Sequence, residues 1–171
     1  LFRSSAASDV YKRQEAIRSR VTNNFIVGLR FSQWKQHDFD AKLAQTPDEL
    51  EKVIMPPVNA GLDYLHSSMR RFWESEFPDS KENLAYWTKK ISDITTIGVG
   101  SVGLDSDFID MMAPANPTSI DKAIEDISSN KYELIAVGRA LISDPNWVIK
   151  MKEGRFDELI PYTKESLLTL Y

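Results

Sequence analysis

Cysteine is absent from the 171 residues, which excludes disulfides, thiolate nucleophiles and cysteine-ligated zinc. Long apolar runs are absent as well, because no stretch approaches the about 20 residues that span a bilayer, and the first residues lack the apolar core of a signal peptide. Excess positive charge is also missing, since the net charge is −4. Neither nucleic acid nor a membrane is therefore expected as a partner, and we predict a cytoplasmic protein.

Histidine is scarce, and the common signatures of metal and hydrolase sites are missing. The two histidines, His37 and His66, lie far apart and form no H-E-x-x-H spacing, so no metal site is predicted. No G-x-S-x-G sequence is present, and hydrolase chemistry has no support. The chemistry of this chain must therefore be sought in its glycines and arginines.

Residues 1–14 show no amphipathic period and do not resemble the rest of the chain. The string from Ser5 to Gln14 resembles translated sequencing-adapter sequence, and a disordered terminal arm is the alternative. We predict that residues 1–14 form a leader outside the fold and that residues 15–171 form the domain.

From Glu15 onward, short apolar strands alternate with amphipathic helices, the first strand following the tail of a helix at Glu15–Val21. Thr46, Pro47 and Glu49 predict a capped helix start.

The alternation of strands and helices predicts an α/β fold with a parallel sheet, either open or part of a barrel. A doubly wound sheet would favour a G-x-G-x-x-G turn after the first strand, and none is present there. The predicted strands are Phe25–Phe31, Leu62–Ser67, Thr95–Gly100 and Tyr132–Val137, and the later helices Asn83–Lys90, Thr118–Ile127 and one opening at Asp144 and closing at Gly154.

Glycines follow the last two predicted strands, and an arginine accompanies the second of them. The third strand runs into Gly98–Gly103, and the fourth ends in Gly138 and Arg139, with a predicted helix start at Asp144. Glycine lets backbone N–H groups approach an anion, and arginine adds a bidentate clamp. In β/α barrels a phosphate site commonly forms from these loops. The residues therefore predict a phosphate site, although glycine also serves simple tight turns.

Three strings resemble the old yellow enzyme family: Val27–Ser32, Thr96–Ser101 and Ala136–Pro145. The third is the most specific, since the family's last strand typically reads G-R with D-P or N-P shortly after. The resemblance runs from about Glu15 to Tyr171. It implies a partial TIM (β/α)8 barrel in which the four strands are about strands five to eight.

The resemblance also implies site residues and cofactors. Arg30 resembles the arginine that reaches the flavin ring of FMN, where a cation stabilises negative charge on the reduced flavin. Gly100 and Ser101 match the loop that holds the FMN phosphate. Gly138 and Arg139 match the second half of that phosphate site, with Arg139 as its salt partner. The implied reaction is hydride transfer from NAD(P)H through the flavin to an electron-poor alkene or similar small-molecule acceptor.

Catalytic residues are not expected in this chain. The family's histidine pair and proton-donating tyrosine lie on earlier strands, so we expect them in a missing N-terminal half-barrel, without which the chain is inactive. Half a barrel exposes strand edges and its interior, so self-association is expected. A further domain after Tyr171 is left open, and neither the substrate nor the choice between NADH and NADPH is encoded here. Two alternatives stay open, a flavin-free phosphate-binding β/α barrel and a non-catalytic half-barrel.

Several other polar and aromatic residues are candidates for either a functional or a structural role. His66 is expected at the rim of the active site or as a structural histidine, and His37 in a solvated loop. Trp34 and the string Arg70–Trp73 are expected either at the substrate or flavin rim or in loop packing.

Overall fold

Four parallel strands form one sheet in a computed structural model that describes residues 10, 12–35, 38, 40–108 and 113–168. The strands follow one another across the sheet in chain order. A helix lies between each strand and the next, as expected for β/α units, so the predicted α/β class is confirmed. The strands are β1 (Gly28–Ser32), β2 (Tyr64–Ser68), β3 (Thr95–Val99) and β4 (Leu134–Ala136).

The helices begin with α1, formed by residues 12–18, which includes three residues that the sequence analysis assigned to the leader. Two short 3-10 turns, Phe156–Glu158 and Lys164–Leu167, follow the last helix. The remaining helices are α2 (Pro47–Asn59), α3 (Leu84–Ser92), α4 (Asp121–Ser128), α5 (Arg139–Ser143) and α6 (Trp147–Glu153).

The predicted start of α2 is formed by local side-chain hydrogen bonds. The backbone N–H of Glu49 donates to Thr46 Oγ1 at 3.2 Å, and the Glu49 carboxylate accepts from the backbone N–H of Gln45 at 2.7 Å. These bonds satisfy donors that have no partner within the helix. The capping arrangement is confirmed, with the carboxylate reaching one residue further back than in the usual box.

The first strand begins at Gly28, three residues later than predicted, because its approach is held by contacts with side chains. The Asp63 carboxylate accepts from the Val27 N–H at 2.7 Å and pairs with Arg18 at 2.6 Å. Arg18 also donates to the carbonyl of Phe25 at 2.8 Å. The backbone amide of Val27 and the carbonyl of Phe25 therefore bond to side chains rather than to a neighbouring strand.

The two faces of the sheet have different surroundings. Side chains alternate between faces along a strand, and Leu65, Ser67 and Thr96 are fully buried on the face that packs against the helices. The other face, here called the open face, carries Arg30 opposite His66. The same row continues through Ile97 to Leu134, which is 53% exposed. The core therefore lies between the sheet and its helices, and the open face carries polar and apolar side chains that are only partly covered.

The open face leads to a prediction about the state of the isolated chain. Among the described residues, β1 and β4 each pair on one side only, so both edges offer unpaired backbone groups. We expect size-exclusion chromatography to show a species larger than the 19.5 kDa monomer. Leu134→Lys, on the open face, should reduce this association. The same change at Leu168, which is 85% exposed and lies outside the sheet, is the control. A sharp monomer peak for the unchanged chain would contradict the prediction.

Candidate functional site: a cavity at the carboxyl ends of the strands

The five predicted site residues line one cavity at the carboxyl ends of the strands. Its volume is about 170 Å³. Arg30 comes from β1, Gly100 and Ser101 follow β3, and Gly138 and Arg139 follow β4. Residues more than 100 positions apart in the chain thus share one cavity, as expected where parallel strands end at the same edge. The other lining residues are mainly apolar: Ser68, Met69, Val99, Val102, Leu104 and Phe108.

Arg139 is the central cation of the cavity. Its Nη2 donates to the Ser106 carbonyl at 2.5 Å and lies 3.4 Å from Ser101 Oγ. Its Nη1 is buried and has no hydrogen-bond partner among the described residues. Burial lowers the pKa of Arg139, and the nearby Tyr162, Asp107 and Asp105 act in the opposite direction. A buried cationic donor without an acceptor is costly, so this arginine suits an anionic ligand.

The two cavity glycines differ in what surrounds them. A Cβ built on Gly100 would lie 2.7 Å from the backbone oxygen of Met69, so close packing requires glycine there. A Cβ built on Gly138 would meet no described atom within 4 Å. Gly100 therefore serves the packing of the β2 and β3 loops, whereas the absence of a side chain at Gly138 leaves space at the cavity.

Ser101 continues the turn that begins at Gly100. Its φ of 53° lies in the left-handed region, which is uncommon for a residue with a side chain. Its hydroxyl donates to the Arg70 carbonyl at 3.0 Å, which ties the turn to the segment after β2. The turn is thus held in one conformation by contact with the neighbouring loop.

Arg30 is exposed on the open face, and its Nη2 donates to Ser68 Oγ at 3.1 Å. In the sheet register it lies opposite His66. His66 is the third of the five residues of β2 rather than its last, so it lies below the rim where it was expected. Its Nε2 is buried without a partner among the described residues. Burial, and then the positive charge of Arg30, lower the pKa of His66, which favours a neutral ring.

The lowered pKa of His66 makes the stability of the folded chain depend on pH. The unfolded chain takes up this proton more readily than the folded chain, so the free energy of unfolding falls as pH drops through the unfolded pKa of about 6.5. In urea denaturation, the free energy of unfolding of the unchanged chain should rise between pH 5 and pH 7. We expect this rise to be larger than the rise measured for the His66→Gln variant. Equal gains in the two proteins would show that His66 makes no such contribution.

The other residues singled out in the sequence lie beside the cavity. Arg70 and Arg71 both contact Asp107 at 3.1 Å, so their charges take part in ion pairs. Phe72 is buried, and Trp73 is 36% exposed. The ring of Trp34 lies 5.2 Å from that of Phe108, a cavity residue. His37 falls outside the described residues.

The helix predicted to open at Asp144 begins at a later residue, and a second short helix precedes it. α6 begins at Trp147, and a separate short helix, α5, begins directly after Gly138. The Asp144 carboxylate is buried and accepts from the backbone N–H of Asn146 at 3.1 Å and from Lys150 Nζ at 2.8 Å. Asp144 therefore joins α5 to α6, and the helix start beside the cavity is Gly138. As predicted, Gly154 ends α6 with a left-handed φ of 73°.

The residues that hold the cations were not predicted from the sequence. Arg30 is contacted by the hydroxyl of Ser68. Arg139 is contacted by the backbone carbonyl of Ser106 and by the ring face of Tyr162. Position in the chain could have indicated Ser68, since it ends the strand next to that of Arg30. Ser106 and Tyr162 lie in irregular segments, and no periodic pattern marks them.

No protein-family model matches the chain. Among solved structures, the chain is similar to a crystal structure of TcOYE with pHBA, with a TM-score of 0.58 and 17% identity over 86% of this chain and 34% of that one. It is also similar to a morphinone reductase variant in complex with tetrahydroNAD, with a TM-score of 0.51 and 14% identity over 80% of this chain and 30% of that one. The chain thus spans about a third of the length of these structures.

These matches establish the fold: the four-stranded parallel sheet corresponds to part of a TIM barrel. No described helix has the length and apolar character needed to cross a membrane. Nor do three or more histidine or acidic side chains in the described ranges come together as metal ligands.

Proposed function

We propose that the chain is part of an NAD(P)H:flavin oxidoreductase of the old yellow enzyme type, and that its cavity holds the phosphate of FMN. Residues 15–171 would supply about strands five to eight of the barrel, and residues 12–14 would extend α1 ahead of it. The coarse likeness in fold to TcOYE and morphinone reductase supports this kind of enzyme. The residues proposed to bind the cofactor line the cavity, and naming the cofactor FMN rests on the resemblance to the old yellow enzyme family.

The observation that carries the proposal is the buried Nη1 of Arg139, which has no acceptor among the described residues. Arg139 lines the cavity together with Gly138, whose missing side chain leaves open space. A phosphate group can accept hydrogen bonds from a guanidinium in a bidentate manner and can approach a glycine backbone closely. It would supply the acceptor that the buried Nη1 lacks and would place negative charge against the half-buried guanidinium.

The size of the cavity fits one end of a nucleotide. Its volume of about 170 Å³ is below the about 300 Å³ at which pockets for whole small molecules begin. A flavin ring therefore needs additional surface. Arg30 lies on the open face and lines the same cavity, so a ligand held at Arg139 can extend toward it. The residues present thus suit a group with an anionic end and an extended body.

Each residue has a separate task in the proposed enzyme. Gly100 and Ser101, in the loop after β3, would hold one half of the phosphate site, and Gly138 and Arg139 would hold the other half, with Arg139 as the salt partner. Arg30 places a positive charge against the ring system. FMN, when bound, would supply hydride chemistry between NAD(P)H and an electron-poor acceptor. This chain contributes binding and charge, and we assign none of its residues as the proton donor.

The proposal is tested by comparing FMN with riboflavin, which lacks the phosphate. We expect quenching of flavin fluorescence to show at least about tenfold tighter binding of FMN by the full chain, the effect of one or more charged hydrogen bonds. Absolute affinities should be weak, because about two thirds of the length of the matching structures has no counterpart here. Equal affinity for the two flavins would overturn the assignment of the phosphate site.

Competition with inorganic phosphate separates the alternatives. If ribose 5-phosphate displaces inorganic phosphate as well as FMN does, the cavity belongs to a phosphate-binding barrel without flavin. If neither phosphate nor flavin binds, the chain is a non-catalytic half-barrel. The flavin proposal requires FMN to displace inorganic phosphate more strongly than ribose 5-phosphate does.

A further inference from the structure

The segment after α6 brings an aromatic ring to the cation of the cavity. Tyr162 is fully buried, and the guanidinium carbon of Arg139 lies 5.3 Å from the centre of its ring. We propose that Tyr162 is a positioning residue that fixes Arg139 for an anionic ligand bearing a phosphate group. This inference rests on the proposed phosphate site and adds a residue that acts through Arg139 rather than on the ligand.

Tyr162 is itself held in place by the loop that follows β3. Its backbone forms an antiparallel bridge with Ala115, with N–H to O distances of 2.9 and 2.8 Å in the two directions. The next residue, Asn116, bonds to the Asp105 carboxylate through its backbone N–H at 2.8 Å and its side-chain amide at 3.0 Å. The ring is thus attached to the same loop that supplies the Ser106 carbonyl to Arg139.

Together these contacts restrict a side chain that would otherwise have many rotamers. The ring of Tyr162 supports the guanidinium, and the Ser106 carbonyl accepts from Nη2 at 2.5 Å. A guanidinium carries five donors in a fixed plane. Holding Nη2 and packing against a ring therefore sets the direction of the remaining donors, including Nη1.

An aromatic ring holds a cation without neutralising it. A carboxylate at the position of Tyr162 would form an ion pair and compete with an incoming phosphate. A ring attracts the guanidinium through its quadrupole and leaves the net positive charge for the ligand. Asp107, a carboxylate of the loop after β3, is already engaged by Arg70 and Arg71 at 3.1 Å each.

The test uses inorganic phosphate as the probe and NMR titration of the full chain as the measurement. We expect Tyr162→Phe to bind phosphate within about twofold of the unchanged chain, because the ring remains. Tyr162→Leu should bind about tenfold more weakly, as expected from losing a cation–ring contact. Tyr162→Leu should add nothing in the Arg139→Ala background, since the two residues act as one unit. Equal losses for Phe and Leu, or full additivity with Arg139→Ala, would overturn the proposal.

A measurement on the unchanged chain covers the case in which Tyr162→Leu does not fold. In protein labelled with ¹⁵N-arginine, the Arg139 Nε–H signal is assigned by its loss in Arg139→Lys. It should show an upfield ring shift and should move when phosphate is added, while that of Arg20 stays constant. An Arg139 signal at its random-coil position would contradict the inference.

The outcomes distinguish this inference from the proposed function. Phosphate binding that depends on Tyr162, without preference for FMN over riboflavin, would reject the flavin function and support the role of Tyr162. A preference for FMN that depends on Arg139 but survives Tyr162→Leu would support the flavin function and reject the role of Tyr162.

Discussion

Replacing Arg139 by alanine is expected to abolish the preference for FMN over riboflavin. Hydrogen bonds to a charged partner contribute about 1.5–3 kcal/mol, so FMN should bind between about tenfold and about 100-fold more weakly. Riboflavin should bind as before, because it has no phosphate for the guanidinium to contact. The two dissociation constants, measured by flavin fluorescence, give the result directly.

Two other arginines provide matched comparisons. Arg20 is exposed and lies two residues after Arg18, which bonds to Gly61 ahead of β2, at the end of the sheet opposite the cavity. Arg20→Ala should therefore change neither dissociation constant. Arg30→Leu should weaken FMN and riboflavin alike, since this residue is proposed to face the ring. If Arg139→Ala also weakened both flavins equally, its assignment to the phosphate would be wrong.

The largest effect on stability is expected from Asp144→Ala. This carboxylate is 1% exposed and is paired with Lys150, whose side chain is 12% exposed. It also accepts from the backbone N–H groups of Asn146 and Ile160 at 3.1 and 3.3 Å. Removing one partner of a buried pair leaves the others unsatisfied, and the free energy of unfolding should fall by about 3 kcal/mol. Urea denaturation monitored by circular dichroism measures this change.

Asp157 offers a control of the same residue type in the same region. It is exposed in the 3-10 turn Phe156–Glu158, so Asp157→Ala should change the free energy of unfolding by no more than about 0.5 kcal/mol. Similar values for the two variants would mean that the buried bonds of Asp144 do not stabilise the link between α5, α6 and the segment of Ile160.

Features governed by local spacing could be predicted from the sequence. The cap at Thr46 depends on residues three positions apart, and the observed bonds follow that spacing. The order of strands and helices follows from runs of apolar residues, and with it the α/β class. Gly100, Ser101, Gly138 and Arg139, which line the cavity, were predicted because the ends of parallel strands meet at one edge, whatever their separation in the chain. Arg30 was predicted from the resemblance to the old yellow enzyme family.

Features governed by distant partners could not be predicted. β1 begins late because the Asp63 carboxylate, 36 residues away, bonds to Val27. Asp144 was predicted to open a helix, whereas its carboxylate accepts from the Ile160 N–H, 16 residues further on, a contact that no sequence pattern marks. The contact of Tyr162 with Arg139 depends on how an irregular segment folds back onto the cavity. Each of these positions is set by tertiary packing rather than by propensity.

The bridge between Ala115 and Tyr162 has a consequence for the order in which the molecule is assembled. It joins segments 47 positions apart, and the loop-closure entropy of such a contact must be overcome before the contact stabilises anything. During synthesis, the glycine turns after β3 and β4 emerge before Tyr162 does. The support of Arg139 therefore forms only after both glycine turns have been synthesised.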